Sequence, residues 1–335
     1  MQAAQLVKYD KQFQLQVREV AVPKPGPADV LVKVKAAAVN PVDTLIGTGS
    51  VKLIQNYAMP VTMGNEFSGV VSAVGDQVTD FQPGDAVYAR MPLDKIGAFA
   101  EYLVIEQQSL AKMPKNLDFD HAAAVPLTGL TAYQGLHEEL GAHAGQSIMI
   151  PGGSGSFGQM AIPIAKELGL KVSVSGNARA KDNVMAMGAD RYFDYRQENY
   201  WEHLEPVDYI IDTVGPKELS HELSVLKPGG RLLSLVMGPN RRFATDRNLS
   251  WFKTFLFSFA GKKIDRQAQE VGASYRFIFV RSDGAQLRAV TTLVERENIS
   301  PAIDPTVFHL ADINQAIDLV NHGHSQGKVL IKFDD

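Results

Sequence analysis

Ser147-Ile148-Met149-Ile150-Pro151-Gly152-Gly153-Ser154-Gly155-Ser156-Phe157-Gly158 is the stretch on which the fold of this 335-residue chain turns. Its first four residues suit a strand, and the run that follows, Gln159 to Leu168, has helical spacing. Gly153, Gly155 and Gly158 satisfy G-x-G-x-x-G, in which glycines permit a tight turn and a close approach of backbone to a pyrophosphate at a helix N-terminus. Ser154, Ser156 and Phe157 would then border the same ligand. Alone the pattern is weak, but at the first turn of a strand–helix–strand series it is specific. A glycine-rich turn that binds nothing is the bland alternative. Two other loops are excluded. A phosphate-binding P-loop needs Lys and then Ser or Thr after its last glycine, where this chain has Gln159 and Met160. A nucleophile elbow needs glycine two residues after Ser154, and that residue is Ser156.

Toward the C-terminus apolar strands alternate with helix-length segments. Lys171 to Val174, Val207 to Ile211 and Arg231 to Val236 read as strands, while Lys181 to Met187 and Glu218 to Leu226 read as helices. Such alternation predicts a doubly wound parallel sheet covered by helices on both faces, an α/β domain. The end of the second strand bears on the nucleotide. An NAD site places Asp or Glu there to bind the ribose 2′-hydroxyl, and that carboxylate would repel a 2′-phosphate. Here the chain runs Ser175-Gly176-Asn177-Ala178-Arg179-Ala180-Lys181, with no acid before Asp182. Ser175 and Asn177 can donate hydrogen bonds and Arg179 and Lys181 bring positive charge, so NADPH is the expected cofactor, with a solvated basic helix start as the alternative.

Toward the N-terminus the character is different. Val30 to Val39, Phe67 to Val74 and Ala86 to Ala89 read as strands, separated by turn signals such as Pro23-Lys24-Pro25-Gly26-Pro27 and Pro83-Gly84-Asp85. Strand character returns at Tyr275 to Val280 and at Lys328 to Phe333, and Asp312 with Gln315 makes a capping box for a late helix. Composition removes several function classes. The chain has no cysteine, so disulfides, thiolate metal sites, iron–sulfur clusters and thiol catalysis are ruled out, and redox chemistry must come from a cofactor. Charges of both signs are spread along it at a net charge of −4, without the basic stripe that neutralises a nucleic-acid backbone. The first residues carry no leader-like pattern and no apolar run reaches the roughly 18 to 20 residues that span a bilayer. A soluble, cytoplasmic protein without membrane contact is the expectation.

Several spaced motifs then carry a family resemblance along nearly the whole chain: Asn40-Pro41-Val42-Asp43, Gly64-Asn65-Glu66-Phe67-Ser68-Gly69, Phe81-Gln82-Pro83-Gly84-Asp85, Gly97-Ala98-Phe99-Ala100-Glu101-Tyr102, Leu127-Thr128-Gly129-Leu130-Thr131-Ala132, the glycine loop, and Gly327-Lys328-Val329. The chain resembles the zinc-independent medium-chain dehydrogenase/reductases, in particular the NADPH quinone oxidoreductase-like group that includes zeta-crystallin. The segment Tyr275 to Gly284 is similar to the branch of the reticulon-interacting oxidoreductases. This implies a Rossmann NADP-binding domain at residues 123–264, inserted in a β-rich GroES-like catalytic domain formed by residues 1–122 and 265–335. Zinc-dependent members place Cys where Asn40 stands and His where Asn65 stands, so no metal site is expected. Of the eight histidines, His322 and His324 read as solvated.

The resemblance also implies a reaction: hydride transfer from nicotinamide to a small apolar acceptor, either a quinone or an α,β-unsaturated carbonyl. Asn40 and Thr128 would lie near the nicotinamide, with Asp43 positioning their loop. Tyr195, Leu235, Phe277, Phe279 and Lys328 would add cofactor contacts, although Phe277 and Phe279 also suit ordinary alternating core. Relatives often carry an aromatic and an Arg shortly after the Asp, where this chain has Leu45 and Gly47, which leaves solvent or Tyr57 as the proton source. An NADPH-binding structural or regulatory protein with little turnover is the alternative. Relatives pair an edge strand of the nucleotide domain, which implies a homodimer through Arg231 to Val236. Five aromatics within Trp251 to Phe259 suit burial at a subunit or domain interface, with an acceptor lid or a membrane contact as alternatives.

Overall fold

The computed structural model describes residues 1–323 and 325–334, so His322 is described and His324 lies outside it. The first third of the chain contributes β1 (Gln2–Leu6), β2 (Gln16–Glu19), β3 (Asp29–Val39), β4 (Val61–Thr62), β5 (Glu66–Val74), β6 (Ala86–Arg90), β7 (Tyr102–Glu106) and β8 (Ala111–Lys112). The middle contributes β9 (Ser147–Ile150), β10 (Lys171–Gly176), β11 (Arg191–Asp194), β12 (Val207–Asp212), β13 (Leu226–Ser234) and β14 (Ser274–Phe277), and β15 (Phe308–His309) and β16 (Val329–Lys332) follow. Two compact units result, one of Met1–Leu130 with Arg281–Asp335 and one of Thr131–Val280.

In the first unit β2, β1 and β4 form one antiparallel sheet, and β15-β16-β3-β5-β6-β8 form another in which β7 also pairs with β3. The first half of β3 alternates inward and outward, whereas Ala36 to Val39 are all buried. The small side chains of Ala36 and Ala38 let Ala123, on the Phe119–Ala123 helix, and Leu330 close over the strand. Register then fixes what meets at one sheet edge. Val39 pairs with Val329 and Ala37 with Phe67, so Asn40 beyond β3, Glu66 at the start of β5 and Lys328 before β16 converge.

In the second unit the sheet order is β11-β10-β9-β12-β13-β14, and every pairing is parallel. Its buried core includes Met149, Phe193, Ile210, Leu223, Leu232 and Tyr275. Three expectations differ from this arrangement. The inserted unit runs Thr131–Val280 where residues 123–264 were expected, because Ala123 packs on β3 in the first unit and the 20-residue Trp251–Glu270 helix is the crossover that lets β14 lie parallel to β13. The dimer strand expected over Arg231 to Val236 is flanked by β12 and β14 and ends at Ser234, so the sheet's edges are β11 and β14. Asp312 does not cap the Ile313–His322 helix through its side chain, since its carboxylate accepts the His309 N–H at 3.0 Å. Among the described residues no helix is long and apolar enough to cross a membrane.

Candidate active site

The glycine loop of the second unit is built by contacts that exclude side chains. Gly152 lies in the left-handed region (φ +69°), and a Cβ there would stand 2.5 Å from Thr213 Oγ1. A Cβ on Gly158 would lie 1.7 Å from the Gly153 carbonyl oxygen, so loop and helix touch through backbone alone. Gly155 differs, since a Cβ there would meet nothing within 4 Å. Gly155 is also the N-cap of the Ser156–Glu167 helix and brings no side chain to the first N–H groups, including those of Ser156, Phe157 and Gly158. An open cradle therefore faces a bare helix N-terminus, an arrangement that fits the pyrophosphate of a dinucleotide.

Beside the loop stand the ends of β10 and β11. Ser175 is buried and its Oγ accepts the Gly152 N–H at 3.3 Å, so it braces the loop from within. At Gly176 a Cβ would meet the Tyr192 hydroxyl at 2.4 Å and Ser154 Oγ at 2.5 Å, which leaves no room for a carboxylate-bearing side chain. Tyr192 donates to the Asn177 carbonyl at 2.6 Å and fixes the outgoing chain. Asn177 and Arg179 are exposed, as is Tyr195, whose N–H bonds the Gly176 carbonyl at 3.2 Å. Arg196, missed in the sequence, lies over the Tyr195 ring at 5.6 Å and donates from Nε to its hydroxyl at 3.3 Å. A second guanidinium next to the expected Tyr195 was its only signal. The nearby acid Asp194 accepts the Arg196 N–H at 3.1 Å in a local turn.

Beneath the loop, Thr213 donates to the Pro151 carbonyl at 2.7 Å. Asp212 is fully buried, takes the N–H groups of Val214 and Gly215 at 2.8 and 2.7 Å on one oxygen, and takes the Ser234 hydroxyl at 2.6 Å on the other. The buried Glu222 carboxyl is pushed up to about 10, by burial first and then by the Asp212 and Glu218 carboxylates. Leu235 bonds the Asp212 carbonyl at 3.0 Å through its N–H. Phe277 packs edge-on to Phe243, 5.0 Å between centroids, and joins the core, while the Phe279 carbonyl accepts from the Arg247 guanidinium. Phe277 thus has a core partner, whereas the Phe279 contact runs through its backbone and assigns its side chain no role.

In the first unit the converging strand ends create a buried polar network. Asn40 caps the Pro41–Gly47 helix, and its N–H donates to Asp43 Oδ2 at 2.8 Å. Its amide donates to Glu66 Oε1 at 2.9 Å and to the Ala38 carbonyl at 3.1 Å, while Lys328 Nζ donates to its oxygen at 2.6 Å. Lys328 also pairs with Glu66 at 2.8 Å, and the other Glu66 oxygen takes the Leu127 N–H at 2.7 Å. Asn65 donates to Asp43 Oδ1 at 2.7 Å. One ammonium thus serves two buried carboxyls, and burial, helped by the Glu66 charge, pushes Asp43 up to about 7 against the bonds from Asn40 and Asn65 and the Lys328 charge. Thr128 sits one residue beyond Leu127, with its hydroxyl directed to the carbonyls of Ala124 and Val125 at 3.1 and 3.2 Å. Lys328, expected among the cofactor contacts, is engaged here with Asn40 and Glu66, whereas Glu66 itself was not singled out. Tyr57 is buried, and its hydroxyl donates to the Leu93 carbonyl at 2.7 Å.

At the positions that would ligate zinc in zinc-dependent relatives the donors are the amides of Asn40 and Asn65, and an ammonium already holds the cation position beside them. That donor set does not fit a zinc ion. Among the described residues no group of three or more His, Cys, Asp or Glu could hold a metal.

Comparison with known proteins agrees with this architecture. The alcohol dehydrogenase GroES-like domain matches residues 26–115, and a zinc-binding dehydrogenase domain matches residues 187–331. The chain is 32% identical over 321 residues to 2-methylene-furan-3-one reductase of Solanum lycopersicum, covering 93% of this chain and 74% of that protein. It is 31% identical over 330 residues to the mitochondrial NAD(P)H oxidoreductase RTN4IP1 of Homo sapiens, covering 91% of this chain and 82% of that one. The solved quinone oxidoreductase of Coxiella burnetii superposes with a TM-score of 0.81 at 25% identity, covering 100% of this chain and 99% of the other. With its inserted parallel sheet, its glycine loop and these relatives, the chain belongs to the medium-chain dehydrogenase/reductases, in the quinone oxidoreductase-like group, and is an oxidoreductase.

Proposed function

We propose that the protein is an NADPH-dependent reductase that passes hydride to an apolar quinone or an α,β-unsaturated carbonyl. The proposal rests on one observation: the bare helix N-terminus behind Gly155 lies beside a strand end that has no acid and carries Arg179, with Arg196 on the adjacent strand end. The loop residues 153–158 would hold the pyrophosphate, while Asn177 and Arg179 would hold the 2′-phosphate that an acid at that place would repel. Tyr195 and Leu235 would flank the adenosine and ribose groups. When bound, NADPH supplies a hydride from its dihydronicotinamide. Asn40 and Asp43 are positioning residues in this scheme. Every polar atom of the Asn40 amide is already bonded within the network, so its task is to hold the Pro41–Gly47 helix, and the proton that completes reduction comes from solvent. The similarity to a 2-methylene-furan-3-one reductase and to a quinone oxidoreductase supports the same acceptor class.

The test is nucleotide oxidation with a panel of quinones and enones, run with NADPH and with NADH. Turnover is expected with NADPH, and Arg179→Ala should weaken NADPH binding by about 1.5–3 kcal/mol, the range for a hydrogen bond to a charged group, while leaving NADH binding nearly unchanged. Equal losses for both nucleotides would refute the 2′-phosphate assignment. Tight NADPH binding without turnover of any acceptor would favour the structural or regulatory alternative.

A further inference from the structure

The aromatic stretch expected at an interface within or between chains is sorted by the structure. Phe257 is buried against Phe243, whereas Trp251, Phe252, Phe255 and Phe259 are 81%, 53%, 64% and 78% exposed. All belong to the Trp251–Glu270 helix, about 30 Å long at 1.5 Å per residue. At 3.6 residues per turn the four exposed rings share one face, and the same face continues into Lys262, Lys263 and Arg266, all exposed. The buried residues of the helix, Phe257, Gly261 and Ala268, lie on the opposite side. The outward face is therefore aromatic in its N-terminal half and cationic in its C-terminal half. Its neighbouring acids are committed: Asp265 accepts the Asn240 amide at 2.7 Å, and Glu270 pairs with Arg266 at 3.0 Å. Lys262 and Lys263 have no ion-pair partner among the described residues.

A contiguous aromatic face of this kind marks an interaction surface. A second copy would bring the same face against itself, and with no free carboxylate on it the lysines of both copies would lose water without gaining a counter-charge. An anionic lipid surface offers an acyl boundary for the rings and phosphates for the lysines, in the order in which the helix presents them. We infer that the Trp251–Glu270 helix docks the protein on an anionic membrane surface, with the rings at the headgroup–acyl boundary and Lys262 and Lys263 on the headgroups. The docking is peripheral, and it stands whether the acceptor is a quinone or an enone.

The full chain is tested with phosphatidylcholine vesicles, with and without about a third phosphatidylglycerol, by co-sedimentation and tryptophan emission. Binding is expected only to the anionic vesicles, with a blue shift that Trp251→Phe removes, since Trp201 is stacked on His221 at 3.6 Å. Phe255→Glu with Phe259→Glu should abolish binding. Lys262→Ala with Lys263→Ala should weaken it by roughly fivefold per lysine, more at low salt than at high. An unchanged unfolding midpoint for both double variants shows that folding is intact. Equal binding to both vesicle types overturns the assignment to anionic lipid. Failure of the wild type to bind either at low salt overturns the docking itself, and self-association dispersed by the Phe255→Glu/Phe259→Glu pair would then give the face to a second copy.

Discussion

Gly155 and Gly158 stand three residues apart in one loop, and they are glycine for opposite reasons. At Gly158 a methyl group would collide with the Gly153 carbonyl 1.7 Å away, so Gly158→Ala must push the loop off the helix. The expected cost is about 1–3 kcal/mol of stability together with loss of nucleotide binding. At Gly155 a methyl group enters empty space, so Gly155→Ala should cost no more than about 1 kcal/mol, the difference between a glycine and an alanine N-cap. It would nonetheless stand in the cradle and should lower NADPH affinity roughly tenfold, equivalent to about 1.4 kcal/mol. Thermal unfolding and calorimetric titration of the two variants separate the effects. Wild-type affinity in Gly155→Ala would mean that the nucleotide passes elsewhere.

Single elements matter in the first unit because three strands deliver one residue each to the same edge. Lys328 before β16, Asn40 after β3 and Glu66 on β5 are joined by bonds of 2.6 to 2.9 Å. Removing the ammonium alone strands a carboxylate that is fully buried, so Lys328→Met should cost about 3–5 kcal/mol. Adding Glu66→Gln should recover most of that, because the pair has then been replaced and not broken. Urea unfolding of the single and double variants measures the difference, and equal loss in both would mean that Lys328 acts through packing of its stem. The same geometry explains what sequence reading could reach. The glycine loop was legible because its constraints are local, set within eight residues by turn, strand and helix. The Lys328–Glu66 pair was not, since it joins residues far apart in the chain and depends on a register that composition does not show. The short β11, with two charges in four residues, lacks a strand's apolar run. The β14 segment was visible as a strand, but its neighbour could be known only from the crossover helix before it.

For the molecule as a whole, each unit buries a carboxyl that holds its proton too tightly. Asp43 in the first rises from an ordinary 3.8 to about 7, and Glu222 in the second rises from 4.5 to about 10. A raised carboxyl means that the folded chain keeps a proton which the unfolded chain has already released. Stability must therefore fall as pH rises from the ordinary value to the folded one, and level off above it. The slope is at most about 1.4 kcal/mol per pH unit for each such proton. Between pH 4.5 and 7 both groups contribute, and between pH 7 and 10 Glu222 contributes alone. Asp43→Asn should flatten the lower limb relative to wild type and leave the upper one, while Glu222→Gln should flatten the upper limb and part of the lower. Carboxylates held low by their partners, such as Asp190 beside Lys166 and Asp208 beside Lys227, act in the opposite sense but only in acid, below about pH 4. Unfolding midpoints taken at each pH unit from 5 to 10 check the assignment. A Glu222→Gln profile parallel to wild type above pH 7 would mean that Glu222 is ionised in the folded protein and that the turn over Asp212 tolerates two buried charges.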